Sequence, residues 1–273
     1  MRTAARCPPC LGAWLAGVLT WLAGGAAAAQ PAWSMVVLTT QGALLVVRSD
    51  APADVRRVGG AALPADLIGI DVRPADGKLY GLTAGNDLYR LDPATGAASL
   101  VSTLTVPFDG GARSGVDFNP QVDRLRLVSA GGQNLRVNVA LGATAVDGAL
   151  AYAPSDRNAG KRPRITAAAY TENVAGTATT RLVEIDAADD VLVAQDPPND
   201  GVLVTIGPLD LDAGDAAGLD VVTADGVGHA FAGIGRALYA VDLASGHATA
   251  LGTVGDGGAE VVSLAILPRP AGP

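Results

Sequence analysis

Short apolar runs separated by tight polar turns are the main pattern of this chain, and residues 67–104 show it most clearly. Four strands are predicted in that stretch, separated by turn signals rich in Gly, Pro, Asn and Asp. They are Gly69–Arg73, Leu79–Thr83, Asp87–Leu91 and Ala98–Leu104. Strands this short, spaced about 8–12 residues apart, are typical of an all-β sandwich, barrel or propeller.

The first of these strands recurs along the chain, which indicates a protein built from repeats. Gly69–Pro74 is matched by four later segments. They are Gly115–Pro120, Ala167–Glu172, Gly218–Thr223 and Ser263–Pro268, and successive copies start 46, 52, 51 and 45 residues apart. A period of about 40–50 residues with four strands in each unit is the signature of a β-propeller.

The two ends of the chain predict how the ring of repeats closes. Val261–Leu267 supplies a first strand with no strands after it, whereas three strands near the N-terminus have no first strand before them. These three are Met35–Thr40, Ala43–Arg48 and Asp54–Gly59. We therefore predict an all-β propeller of five four-stranded blades, closed by pairing the C-terminal strand with the N-terminal strands. The alternative is six blades, with a degenerate unit in Gly142–Arg164, a span that we interpret as a long loop.

The first 29 residues have the features of a secretory signal peptide. Arg2 and Arg6 form a basic region, Leu11–Ala23 is an uncharged apolar run, and Ala27–Ala29 supplies small residues for cleavage. The apolar run is shorter than the ~20 residues that span a bilayer. We therefore expect cleavage rather than a permanent membrane anchor. A single propeller domain would then occupy residues 30–273, in the periplasm or outside the cell.

Composition narrows the classes of function. The chain has 27 acidic and 19 basic residues, so it repels phosphate backbones and we expect no nucleic-acid partner. His229 and His247 are the only two histidines, and neither lies in a serine or cysteine motif. A Ser-His-Asp triad or a multi-histidine metal site is therefore not expected. Both cysteines, Cys7 and Cys10, lie in the predicted signal peptide, so no disulfide is expected in the propeller.

Four segments of the chain resemble a family of bacterial exported proteins known as the domain of unknown function DUF4394. They are GIDVRPADGKLYGL, GVDFNPQVDRLRLVSAGGQNLRVN, DGALAYAPSDRNAG and LVAQDPPNDGVLVTIG, which start at Gly69, Gly115, Asp147 and Leu192. The resemblance covers nearly the whole chain after the predicted signal peptide. It implies a propeller-like exported protein, and it implies no reaction.

Three aspartates occupy the same place in three of the predicted first strands. Because first strands line the central channel of a propeller, Asp71, Asp117 and Asp220 could converge on a cation, and calcium, which prefers oxygen ligands, would suit. The interpretation that we favour is structural, with each carboxylate accepting hydrogen bonds from backbone amides of the neighbouring blade. Calcium is the only cofactor that the pattern suggests.

The second repeat, from Gly115, is polar where a blade should be apolar. Arg124 and Arg126 alternate with leucines, so both side chains point to one face of their strand. One hypothesis is a polar ligand site at the channel mouth, built from Asn119, Arg126, Gln133, Asn134 and Arg136. The favoured alternative is an ion-pair network between blades, since buried charges are costly unless paired. Its plausible acidic partners are Asp117, Asp123, Asp147 and Asp156.

These patterns favour an exported, non-catalytic propeller that binds a small ligand, a cell-surface component or a protein partner. The alternative is a glycosidase-like hydrolase with its site in the central channel. In that alternative Glu172 would be the acid, with Asp117 or Asp71 opposite it. Glutamate occurs only at Glu172, Glu184 and Glu260, which counts against the hydrolase. One further segment, Gln195–Gly201, has the Pro and Gly content of a rigid surface turn.

Overall fold

The computed structural model describes Met1 and residues 32–59 and 63–269, so most of the predicted signal peptide lies outside the described residues. The described residues form 21 strands and one 3-10 helix, Pro198–Asp200. The strands are β1 (Ser34–Thr39), β2 (Leu44–Arg48), β3 (Ala51–Arg57), β4 (Leu67–Arg73), β5 (Lys78–Thr83), β6 (Asp87–Leu91), β7 (Ala98–Thr103), β8 (Ser114–Asn119), β9 (Arg124–Ser129), β10 (Asn134–Val137), β11 (Thr144–Val146), β12 (Ala151–Tyr152), β13 (Ile165–Tyr170), β14 (Leu182–Asp186), β15 (Val191–Gln195), β16 (Val202–Pro208), β17 (Ala217–Ala224), β18 (Val227–Ile234), β19 (Ala237–Val241), β20 (Ala248–Thr253) and β21 (Val261–Ile266).

These strands form five sheets in a ring, which is a five-bladed β-propeller. From the innermost strand outward, blade 1 is β21-β1-β2-β3, blade 2 is β4-β5-β6-β7 and blade 3 is β8-β9-β10-β11. Blade 4 is β13-β14-β15-β16 with β12 as a fifth, outer strand, and blade 5 is β17-β18-β19-β20. The inner strands of neighbouring blades contact one another around the whole ring. No helix in this described part of the chain is long and apolar enough to cross a membrane.

The ring closes as the sequence predicts. β21 pairs antiparallel with β1, so that Met35 lies opposite Ile266 and Val37 opposite Leu264. The six-bladed alternative is wrong, because Gly142–Arg164 contains only two short strands and no sheet of its own. One of them, β11, completes blade 3, and the other, β12, pairs in parallel with β16 of blade 4. That span therefore connects two blades and adds to the outer edge of each.

The apolar core lies between the blades, because each sheet buries both of its faces. Successive residues of one strand point to opposite faces of the sheet and therefore contact different neighbouring blades. In β9, Leu125 and Leu127 join the cluster shared with blade 2, whereas Val128 joins the cluster shared with blade 4. Arg126 lies on the same side of the strand as Val128, so its side chain is directed into the interface between blades 3 and 4.

Candidate functional site

Three inner-strand carboxylates meet in the centre of the ring. Asp71 of β4, Asp117 of β8 and Asp220 of β17 are all buried, and one oxygen of each lies within 4.8 Å of the others. Equivalent positions in the repeats thus bring the three side chains together, because successive inner strands face the same axis. We call this group the channel aspartates.

The channel aspartates also tie neighbouring blades together. Each carboxylate accepts a hydrogen bond from a backbone N–H of the next blade: Asp71 from Phe118 at 2.7 Å, Asp117 from Tyr170 at 2.9 Å and Asp220 from Ile266 at 2.6 Å. Asp71 and Asp220 each accept a second bond, at 2.6 Å, from the N–H of the following residue in their own strand. The bonds expected in the structural interpretation are therefore present, and they do not depend on a cation.

Burial makes ionisation of the channel aspartates costly. Loss of hydration is the largest cause of the raised pKa of Asp71 and Asp117, and repulsion from the neighbouring aspartates adds to it. Burial also raises the pKa of Asp220 to about 7. Three such groups near one axis are stabilised either by retained protons or by a bound cation.

The channel aspartates fit a calcium ion in spacing and in chemistry. Calcium–oxygen distances are about 2.3–2.6 Å, so oxygens within 4.8 Å of each other can share one ion. Calcium takes six to eight oxygen ligands, so three monodentate carboxylates would be only part of its shell. Asp71, Asp117 and Asp220 are the residues that would hold it.

A cavity of about 350 Å³ lies between blades 3 and 4, and three arginines line it. We call it the arginine cavity. Its walls are formed by Asn119, Gln121, Val122, Arg124, Arg126, Arg136, Tyr170, Pro198 and Asn199. The residues come from β8, the turn between β8 and β9, β9, β10, β13 and the 3-10 helix, so the cavity depends on the contact between two blades.

Arg126 is held in place from several directions. Its side chain is only 2% exposed, and Nη1 donates to Asp147 Oδ2 and to Asn134 Oδ1, both at 2.6 Å. Nη2 donates to Asn199 Oδ1 at 2.8 Å, and Nε donates to the Tyr170 hydroxyl at 3.3 Å. Two of these four partners, Tyr170 and Asn199, belong to blade 4, so the guanidinium group joins the two blades.

Arg136 shares the same acidic partner. Its Nε and Nη2 donate to the two carboxylate oxygens of Asp147, at 2.6 and 2.9 Å. The expected ion-pair network is therefore present, with Asp147 as its acid, but its ion pairs lie within blade 3, because Asp147 comes directly after β11. The links from Arg126 to blade 4 are hydrogen bonds to the neutral side chains of Tyr170 and Asn199. Of the other proposed partners, Asp123 pairs with Arg73 and Asp156 binds Thr205.

The five residues proposed for the ligand site are only partly brought together. Asn119, Arg126 and Arg136 line the arginine cavity, and Asn134 lies behind Arg126 and hydrogen bonds to it. Gln133 is elsewhere: its amide contacts the backbone of Pro107 and Asp109, in the loop between blades 2 and 3. It sits next to Asn134 in sequence, but it precedes β10, and its side chain is directed to the loop between blades 2 and 3.

No pattern in the sequence pointed to three residues near the cavity. Tyr170 and Asn199 line its wall, and Asn199 comes from the segment interpreted as a rigid surface turn. Glu184 of β14 is completely buried, and neither carboxyl oxygen has a hydrogen-bond partner among the described residues. Burial raises the pKa of Glu184 to about 8, although the positive charge of Arg126 opposes the rise.

Comparison with known families gives one match, which covers most of the propeller. A family model described as a domain of unknown function, DUF4394, matches residues 43–265. No curated protein matches the chain.

The solved structures that match the chain share little sequence with it. A protein of unknown function from Bacteroides thetaiotaomicron VPI-5482 is 12% identical, with a TM-score of 0.49, covering 79% of this chain and 54% of that one. An auxiliary nutrient binding protein from the same organism is 13% identical, with a TM-score of 0.42 and coverages of 73% and 56%. The computationally designed Ika8 protein is 10% identical, with a TM-score of 0.38 and coverages of 84% and 63%. The chain thus spans less than two thirds of each of these structures.

Proposed function

We propose that this chain, which belongs to the DUF4394 family, is an exported, non-catalytic propeller whose arginine cavity binds a small anionic ligand. The charge of the cavity wall is the observation that carries the proposal. Arg124, Arg126 and Arg136 line the cavity, and none of the described residues in its wall is an Asp or Glu. This is the reverse of the whole chain, in which acidic residues outnumber basic ones by 27 to 19. Guanidinium groups favour carboxylate and phosphate ligands.

The positive charge of the cavity is only partly neutralised. Arg126 and Arg136 share the single carboxylate of Asp147. Within the described part of the chain Arg124 has no ion pair, and its Nη1 donates only to backbone carbonyl oxygens. Glu184 does not cancel the excess near neutral pH, because its raised pKa of about 8 keeps it mainly protonated. One anionic group from a ligand would therefore improve the local charge balance.

The geometry suits a small and rigidly held anion. The four hydrogen bonds of Arg126 fix its orientation before any ligand arrives, which lowers the entropy cost of binding. Arg136 is 37% exposed, so its guanidinium group is accessible from the cavity. A volume of about 350 Å³ is near the lower limit for small-molecule sites, which favours a compact ligand over a protein or cell-surface partner.

The burial of the carboxylates supports a non-catalytic role. A glycosidase needs two carboxyl groups that reach the same bond of the substrate. Glu172 is exposed, whereas Asp71 and Asp117 are buried in the channel beside Asp220. A sugar chain that contacts Glu172 has no access to the buried pair in this arrangement.

Isothermal titration calorimetry with citrate and inorganic phosphate tests the proposal, with glucose as the neutral control. We expect at least one of the two anions, and not glucose, to bind. Arg124→Gln removes the unpaired guanidinium group from the wall and should weaken binding about tenfold. Arg90→Gln is the matched control, because Arg90 is an exposed arginine outside the cavity.

Equal weakening of anion binding by Arg124→Gln and Arg90→Gln would mean that the affinity depends only on the net charge of the protein. That result would overturn the proposal. Absence of binding by both anions at low salt would also overturn it. Loss of binding in Arg126→Ala with an unchanged melting temperature would show that Arg126 serves the ligand and not the fold.

Export is supported by the basic, apolar and small-residue regions that follow one another at the N-terminus. N-terminal sequencing of the protein recovered from the periplasm or the medium of a bacterial culture tests it. A mature chain that starts at Gln30 is the expected result, and recovery only of cell-associated protein that starts at Met1 would contradict it.

A second candidate function is calcium binding by the channel aspartates, and their convergence within 4.8 Å favours it. Native mass spectrometry and thermal melting, each with and without EDTA, test it. We expect one bound calcium ion, a melting temperature that falls on chelation, and loss of the ion in Asp117→Asn. A melting curve that EDTA does not change, with no metal detected, would exclude the calcium site.

A further inference from the structure

A second cavity, of about 610 Å³, lies where three inner strands end on one side of the ring. Val72 of β4, Val222 of β17 and Ile266 of β21 contribute to its wall. The loop after β13 and the segment after β21 complete it. We call it the mouth cavity. It shares no lining residue with the arginine cavity.

The mouth cavity differs from the arginine cavity in the character of its wall. Valine, alanine, proline, leucine and isoleucine side chains provide most of the surface. Among the described residues of its wall two are charged, Asp225 and Arg269, and they have opposite signs. The guanidinium group of Arg269 lies over the ring of Trp33, 3.7 Å from the ring centroid. The wall is therefore mainly apolar, with no net formal charge.

Three polar side chains of this wall contain an atom that lacks a hydrogen-bond partner among the described residues. These atoms are Trp33 Nε1, Asn173 Oδ1 and Thr223 Oγ1, and each is shielded from solvent. Trp33 is only 4% exposed. Unpaired buried polar atoms are uncommon in folded proteins and cost free energy, so three of them around one cavity call for an explanation.

We propose that the mouth cavity is a binding site for a small uncharged carboxamide with an apolar body. The indole N–H of Trp33 is a donor and matches an amide carbonyl oxygen. The side-chain oxygen of Asn173 is an acceptor and matches an amide N–H, and the hydroxyl of Thr223 can serve either group. Because these atoms are shielded in the unliganded wall, binding requires the side chains of Asn173 and Thr223 to turn toward the ligand.

Burial and volume agree with this class of ligand. An apolar cavity with a few convergent polar groups is the usual form of a small-molecule site, and about 610 Å³ is within the usual range. A ligand that pairs with the unpaired atoms removes the cost of leaving them buried without partners. A charged ligand gains less, because Arg269 and Asp225 oppose each other.

The test is a titration of the full chain, followed by ¹⁵N-resolved NMR of the tryptophan indole N–H signals. Benzamide is the probe, and toluene, which has a similar ring but no amide, is the matched control. The signal of Trp33 is assigned by its loss in Trp33→Phe. We expect benzamide to shift this signal in a saturable manner and toluene to bind at least about tenfold more weakly.

Two isosteric variants complete the test. Thr223→Val removes a hydroxyl from the wall and should weaken benzamide binding about fivefold to tenfold. Thr166→Val is its control, because the hydroxyl of Thr166 is also buried and unpaired but lies outside the cavity. Equal binding of benzamide and toluene would overturn the proposal, and so would equal effects of the two variants or no saturable shift of the Trp33 signal.

Discussion

Arg126 and Asp147 form an ion pair, with 2.6 Å between Nη1 and Oδ2, and both side chains are almost completely buried between blades 3 and 4. Arg136, whose side chain is more exposed than that of Arg126, binds the same carboxylate. One aspartate thus neutralises part of the charge of two arginines at this interface. A buried ion pair contributes little net stability when it forms. Removing one of its partners is nevertheless strongly destabilising, because the other charge stays desolvated and unpaired.

Replacing Asp147 by alanine should therefore destabilise the propeller strongly. We expect the free energy of unfolding to fall by about 3–5 kcal/mol, since Arg126 would stay buried without its carboxylate. Urea denaturation measures the change. Asp50→Ala is the control, because the ion pair between Arg48 and Asp50 is exposed and should contribute little. Equal midpoints for Asp147→Ala and the wild type would contradict the structural role of the network.

Glu184 should make the stability fall as the pH rises. Its folded-state pKa is about 8, above the usual value for glutamate, so the folded protein holds a proton that the unfolded chain releases. The stabilisation linked to this proton is complete below about pH 4.3 and is lost as the pH rises through 8.

The expected measurement is a series of urea denaturations at pH 5, 7 and 9. In the wild type the free energy of unfolding should decline between pH 5 and pH 9. Glu184→Gln should reduce this decline by an amount on the order of a few kcal/mol, because glutamine is neutral at every pH in the series. Glu260→Gln, at an exposed glutamate, should leave the slope unchanged. A wild-type slope in Glu184→Gln would show that Glu184 is not the group responsible.

Three of the five inner strands contain the motif Gly-x-Asp, at Gly69, Gly115 and Gly218, and its glycine should be intolerant of a side chain. A Cβ at Gly218 would lie 2.6 Å from the backbone nitrogen of Leu264 on the next inner strand. Gly218→Ala should lower the free energy of unfolding by about 1–3 kcal/mol through overpacking. Gly131→Ala is the control, since its Cβ would meet only Ser129 Oγ, at 3.4 Å. Equal melting temperatures for the two variants would contradict this account of the motif.

Two channel aspartates should respond differently to replacement by asparagine. Both oxygens of Asp220 accept backbone N–H groups, so an amide nitrogen in place of one of them removes a bond. Asp117 accepts a single backbone bond, from Tyr170, which the oxygen of asparagine can retain. We expect Asp220→Asn to lower the melting temperature more than Asp117→Asn does. Differential scanning calorimetry measures the two melting temperatures. The opposite order would show that loss of charge, and not loss of a hydrogen bond, determines how these substitutions change the stability.

The fold was predictable because its signals are local and repeated. The strand periodicity, the turn residues and the spacing of the five first-strand copies predicted five blades, and the strands at the two chain ends predicted their closure; the structure confirms both. The motif itself has a tertiary reason, since Gly69, Gly115 and Gly218 each lie against the next inner strand. Residues 142–164 were harder to interpret, because the parallel pairing of β12 with β16 joins residues about fifty positions apart.

The candidate sites were only partly predictable, because their partners are distant in sequence. Strand alternation by itself placed Arg124 and Arg126 on one face of β9. Because buried charges need partners, it also indicated that acidic or polar groups lie opposite them. Only the packing of blade 4 on blade 3 brought Tyr170 and Asn199 to Arg126, from 44 and 73 positions away. Packing also decided which carboxylates are buried. Burial in turn sets the pKa of Glu184 and of the channel aspartates, because the loss of hydration depends on neighbours that no local pattern specifies.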